Sequence, residues 1–120
     1  MKENLLVDLS KVFAVNIIKV YEEIRETKKY TVIINQLIRC GTSIGANIHE
    51  GNYASSRADF INKFQIALKE CYETEYWLEI MKDADIITAH RYNELISECG
   101  RIRKLLITSI NTAKDNAESL

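Results

Sequence analysis

Not one proline interrupts the 120 residues of this chain, and only four glycines do. Proline breaks a helix interior because it removes a backbone donor and clashes with the preceding turn. A chain without it is free to form very long helices, and the apolar residues repeat at the spacing such helices need. Over about residues 4–26, Leu6, Leu9, Phe13, Ile17, Val20 and Ile24 recur at steps of three and four, the mark of one helical face. A second segment, about 31–51, carries Ile34, Leu37, Gly41, Ile44 and Ile48 on one stripe, with Thr31 as its expected N-cap and Gly51 and Asn52 as its stop. The third, about 56–83, opens on SSRAD, where Ser56 caps and Asp59 stands three residues on. Its stripe is the cleanest: Phe60, Phe64, Ala67, Cys71, Thr74, Leu78 and Met81. The fourth, about 88–114, carries Tyr92, Leu95, Cys99, Ile102, Leu106, Ser109 and Ala113, and the tail KDNAESL is expected to fray.

Strand-type alternation is not sustained anywhere. Four helices joined by short connections must lie antiparallel to their neighbours. The sequence therefore predicts one all-α domain over residues 1–120, an up-down-up-down four-helix bundle.

Charge and cysteine usage narrow the setting. Sixteen basic and seventeen acidic residues leave a net charge of −1, without the basic excess typical of nucleic-acid binders. Three cysteines without a CxxC pairing do not make a disulfide framework. The opening MKENLLVDLSKVF is broken by charges, unlike a secretory leader, and no uncharged run is long enough to span a bilayer. A reduced, cytoplasmic location is the expectation.

Few residues suggest chemistry. Ferritin-like di-iron bundles use Glu-x-x-His pairs, but Ala46 stands three residues before His49 and Ile87 three before His90. No metal and no other cofactor is expected. Cys71 and Cys99 fall in apolar stripes, where a free cysteine acts as a small hydrophobe, and Cys40 lies beside Gly41. The glycines in RCGTSIGANIHEG, residues 39–51, form neither GxGxxG nor GxxxxGK[ST], and no strand precedes them. The spacing of Gly41 and Gly45 instead suits a thin helical face against a close neighbour, expected near Ile66 and Ala67.

The polar residues of that stretch are more pointed. Arg39, Ser43, Asn47 and Glu50 share a face turned away from Ile44 and Ile48. On the third segment Glu70 and Glu73 are framed by Ile66, Trp77 and Ile80, which is unusual for a face left to solvent. Two readings stand: inter-helix pairs with Arg39 reaching Glu70 or Glu73, or the lining of a subunit interface or binding site. Candidate nucleic-acid contacts are Lys28, Lys29, Arg101, Arg103 and Lys104, each also readable as solvated helix surface.

QLIRCGTSIGANIHEG resembles the hallmark of the four-helix-bundle proteins encoded in intervening sequences of bacterial large-subunit ribosomal RNA genes. Gln36, Leu37, Arg39, Ser43, Ile44, Asn47, Ile48, Glu50 and Gly51 match its pattern. A second block matches at Phe60, Ile66, Ala67, Leu68, Glu70, Glu73, Thr74, Trp77 and Leu78. Gly45 departs from a frequent proline and Cys40 from a frequent alanine. The resemblance implies a homopentamer without established enzymatic activity. It also implies kinship with the accessory protein of diversity-generating retroelements, a basic ring that binds reverse transcriptase and nucleic acid; the net charge of −1 departs from that relative. The expected function is a non-enzymatic oligomeric interaction or scaffold module. A nucleic-acid-binding accessory factor is the alternative, and neither a membrane nor a small-molecule substrate is expected as a partner.

Overall fold

A computed structural model describes the backbone of residues 2–118 and the side chains of residues 5–116. Four helices follow one another: α1 (Lys2–Arg25), α2 (Thr31–Asn52), α3 (Arg57–Asp83) and α4 (Ala89–Glu118). They lie side by side in a rod of 54 × 22 × 20 Å. Each helix packs on the next in the chain, and α4 closes the ring against α1. Among the described residues the diagonal pairs, α1 with α3 and α2 with α4, bring no Cα atoms within 8 Å of each other. This is the antiparallel all-α bundle that the periodicity predicts. α4 stays helical through Glu118, and the last two residues of the KDNAESL tail lie outside the described residues.

The stripes become the core. Phe13, Ile17, Leu37, Ile44, Phe64 and Leu78 are all fully shielded from water, as are Ile102 and Leu106. Thr74 is buried among them because its hydroxyl donates to the Glu70 carbonyl at 2.7 Å, which satisfies the polar group inside its own helix.

Local chemistry ends each helix. The Ser56 hydroxyl accepts from the Asp59 amide at 3.1 Å to cap α3, and Thr88 does the same for the Arg91 amide at the start of α4. At the end of α3, Asp85 adopts a left-handed conformation with φ 60°. Its amide bonds the Lys82 carbonyl, and the Ile86 amide reaches back to Met81, which is a Schellman motif with aspartate in glycine's usual place.

Two expectations at the ends of α2 require correction. Thr31 is not the N-cap: the cap position is Tyr30, left-handed at φ 60°, with no side-chain cap bond. Gly51 is not a stop. It is helical and buried, and a Cβ there would lie 2.7 Å from Cδ1 and Cε1 of Phe64. Close approach of α3, not a left-handed turn, is what requires glycine at this position.

Candidate functional site

The polar residues of α2 meet those of α3 along their shared outer seam. The Arg39 guanidinium pairs with both carboxylates of the third segment. Its Nη2 bonds Glu73 Oε2, and its Nη1 stands 3.6 Å from Glu70 Oε2. Gln36 Oε1 accepts from Arg39 Nε at 3.3 Å and from Nη2 at 3.2 Å, which holds the guanidinium from behind. The Trp77 indole donates to Glu73 Oε2 at 3.1 Å, so one carboxylate oxygen ties Arg39 of α2 to the tryptophan one turn along α3. These positions meet because Arg39 follows Gln36 by three residues while Glu70, Glu73 and Trp77 rise up one face of α3 at steps of three and four.

The two carboxylates differ in circumstance. Glu70 Oε2 is shielded from water and has no hydrogen-bond partner among the described residues. Burial pushes the Glu70 carboxyl above the ordinary carboxylate range, against the pull of Arg39. Glu73 is the bonded member, and Arg39 itself remains half exposed.

Further along, the stripe turns to local work. Asn47 Nδ2 donates to the Ser43 carbonyl at 2.9 Å, inside α2. Glu50 does not join Glu70 and Glu73; it pairs with Lys63 Nζ at 3.5 Å. The stripe is thus three groups in a row: a charged cluster at Arg39, an internal bond at Asn47 and a second ion pair at Glu50.

The thin face of α2 looks elsewhere than expected. A Cβ at Gly41 would meet Ile17 at 3.0 Å, and one at Gly45 would meet Ser10 Oγ at 3.2 Å. Both neighbours belong to α1. Ala67 is buried in the core, but the expected nearest approach of Gly41 to Ile66 and Ala67 is replaced by this contact. In a four-cornered bundle α2 has two neighbours, and the glycine spacing alone does not say which one comes close.

Cys40, Cys71 and Cys99 are free and buried. Burial pushes the Cys40 thiol up to about 11. The Cys99 thiol is raised too, by its hydrogen bond with Cys71 and then by burial, and its Sγ donates to the Cys71 carbonyl at 3.6 Å. Raised thiols are poor nucleophiles and poor metal ligands. Among the described residues no three His, Cys, Asp or Glu side chains converge as a metal site would require, and no helix is long and apolar enough to cross a membrane.

The candidate nucleic-acid contacts divide into two groups. Lys28 and Lys29 sit at the α1–α2 turn, whereas Arg101, Arg103 and Lys104 lie partway along α4. At 1.5 Å per residue the second group begins roughly 18 Å beyond the start of that helix. Arg103 is engaged: its Nε donates to Glu75 Oε2 at 3.0 Å, and its guanidinium lies 5.8 Å from the Tyr72 ring centroid. That bond to Glu75 raises its already high pKa. Among the described residues no carboxylate pairs with Lys28, Lys29, Arg101 or Lys104, and all four are exposed.

Sequence reasoning missed Lys63, the supporting role of Gln36, and one whole surface. On α1, Leu5, Val12, Val15 and Ile18 are exposed, Val12 at 57% and Val15 at 50%. Val12 also borders a groove with Ser97, Glu98 and Arg101 of α4, while the strip as a whole runs along the outer side of α1, the helix diagonally across the bundle from α3. Its signal was present as a second set of apolar residues at steps of three beside the core stripe.

A family model described as "23S rRNA-intervening sequence protein" matches residues 2–108. Among solved structures, the chain is similar to a crystal structure from Bacteroides thetaiotaomicron described as a protein with unknown function from the S23 ribosomal protein family. The two share 48% identity over 92% of this chain and 99% of the other, with a TM-score of 0.90. Comparison with curated proteins gives no match.

Proposed function

This chain belongs to the 23S rRNA-intervening sequence protein family, and we propose that it is a non-enzymatic subunit of a closed ring, a homopentamer, that serves as a scaffold for other macromolecules in the cytoplasm. The observation that carries the reading is the placement of two unlike surfaces on opposite sides of one bundle. One side offers the exposed apolar strip of Val12, Val15 and Ile18, flanked by Lys11 and Lys19. The other offers Trp77 and Ile66, both part-buried, around the carboxylates of Glu70 and Glu73. Unlike patches that face away from each other favour head-to-tail contacts, which close into a ring when the rotation permits. The lysines of one surface complement the carboxylates of the other, of which Glu73 is the more exposed. The three buried free thiols fit a reducing compartment.

Native mass spectrometry tests the assembly, and a strictly monomeric species at micromolar concentration overturns it. The head-to-tail geometry has its own test. Val15→Glu and Trp77→Glu each spoil one surface and should each give monomers, while an equimolar mixture should give a dimer joined through the two intact surfaces. A mixture that stays monomeric removes the head-to-tail arrangement.

A second reading, a nucleic-acid-binding accessory factor associated with rRNA or a retroelement, is favoured by the unpaired Lys28, Lys29, Arg101 and Lys104. A ring would multiply a small patch. Phosphate binding releases counterions, so affinity for structured RNA should fall steeply with salt and weaken when these residues are neutralised. Absence of binding at low salt ends it.

A further inference from the structure

One end of the bundle holds a cleft of about 460 Å³, within the size range of small-molecule sites. It opens between the end of α1, the α1–α2 turn, the α3–α4 turn and the first turns of α4. Ile24, Ile86, Ile87 and the ring of Tyr30 give it apolar walls, and Glu23, Arg91 and Glu94 give it charge. Neither the seam at Arg39 nor the α1 strip overlaps it.

Two features set this end apart. The described residues contain three non-glycine residues at positive φ, Lys28, Tyr30 and Asp85, and all three lie in the turns that frame the cleft. A bulky residue held left-handed, as Lys28 and Tyr30 are, is strained, and such strain gathers at binding sites. Arg91 is also under-bonded for a guanidinium in a partly enclosed place. Among the described residues its one ion pair, Nη2 to Glu23 Oε1, is long at 3.4 Å, and its Nε is shielded from water with no acceptor. Glu94 has, among the described residues, only the edge of His90, at 3.6 Å.

We infer that this cleft binds a small zwitterion, a free α-amino acid with a bulky apolar side chain. A carboxylate would draw the guanidinium of Arg91 from its long contact into a bidentate pair. The Glu23 carboxylate released by that turn, with Glu94 beside it, would receive the ammonium group. The exchange leaves the net charge of the cleft unchanged and replaces one long pair with two. The side chain would lie on Ile24, Ile86 and Ile87. A simple amine would leave Arg91 where it is, and a simple carboxylate would strand Glu23 without a cation.

The full-length protein titrated with L-leucine and L-phenylalanine, read by amide chemical shifts, tests this. Phenethylamine and 3-phenylpropionate serve as single-charge controls. Saturable shifts at Ile86, Ile87 and Arg91 are expected with the amino acids, and binding of either control at least about tenfold weaker. Arg91→Gln should abolish the shifts, and so should Ile87→Trp, which fills the cleft, with circular dichroism unchanged. The inference is overturned if neither amino acid gives saturable shifts, if a control binds as tightly as an amino acid, or if binding survives both substitutions. Should either variant fail to fold, the wild-type titration against its two controls decides.

Discussion

The α2–α3 seam and the α1–α4 seam are built by different means. Along the first, Gly51 lets the Phe64 ring lie against the α2 backbone, and the Arg39 cluster and the Lys63–Glu50 pair fasten the outside. Along the second, the helices touch least, grooves open between them, and the polar ties are single: Asn16 Nδ2 to Glu98 Oε1 at 2.9 Å, and Arg91 to Glu23. Consecutive helices are brought together by their turns, whereas α1 and α4 meet only through side chains. The tight seam therefore depends on what is absent, a side chain at Gly51, and the loose one leaves apolar surface available to something else.

The largest effect should come from the packed seam. Phe64→Ala should cost about 3–5 kcal/mol in urea unfolding, because a fully buried ring leaves a cavity between α2 and α3. A loss below about 1 kcal/mol would show that the seam collapses around the gap. Gly51→Ala comes next. Its Cβ would overlap Phe64, and displacing the ring should cost about 1–3 kcal/mol, less the roughly 1 kcal/mol that alanine gains over glycine in a helix.

The polar fasteners should matter less, and unequally. Glu73→Gln leaves an oxygen that can still accept from Trp77 but removes the charge that Arg39 pairs with, at about 1 kcal/mol. Glu70→Gln should be neutral or stabilising at pH 7. The sign follows from burial: the folded protein holds the Glu70 carboxyl above its unfolded pKa. Its contribution to stability is complete below the unfolded value and is lost as pH rises through the raised one. The Glu70→Gln variant should accordingly gain on wild type as pH climbs out of the carboxylate range. A variant less stable than wild type at pH 7 and equal to it in acid would reverse the assignment.

At the loose seam, Asn16→Ala should cost about 0.5–1.5 kcal/mol, the worth of one hydrogen bond. The smallest change expected is a gain. Gly100 of α4 would place a Cβ no closer than 3.5 Å to Arg103 Nη2, an ordinary contact, so Gly100→Ala should stabilise by up to about 1 kcal/mol. Opposite signs for alanine at Gly51 and Gly100 in the same thermal melt would separate a glycine required by packing from one that is not.

Much of this was legible in the residues. The core of α2 reads directly as Ile34, Leu37, Gly41, Ile44 and Ile48, every one of them buried, because burial on one side of a helix leaves a period in the sequence. The Arg39 pairing was legible as well, since Glu70 and Glu73 sit among apolar residues that mark a contact face. The partners of Gly41 and Gly45 were not, nor was the ion pair that takes Glu50 to Lys63. The α1 strip was passed over because two apolar stripes on one helix look like a single wide one until a neighbour covers only the first.

By itself the sequence determined four long proline-free helices, the cap at Ser56, and the inward face of each. Those are properties of one segment and its nearest residues along the chain. Only the tertiary structure decided that Gly41 and Gly45 lie on α1, that α3 packs over Gly51, and that a charged cleft opens where two left-handed turns meet. Which face meets which depends on how two helices rotate about their axes and slide past each other, and no spacing within either helix records that.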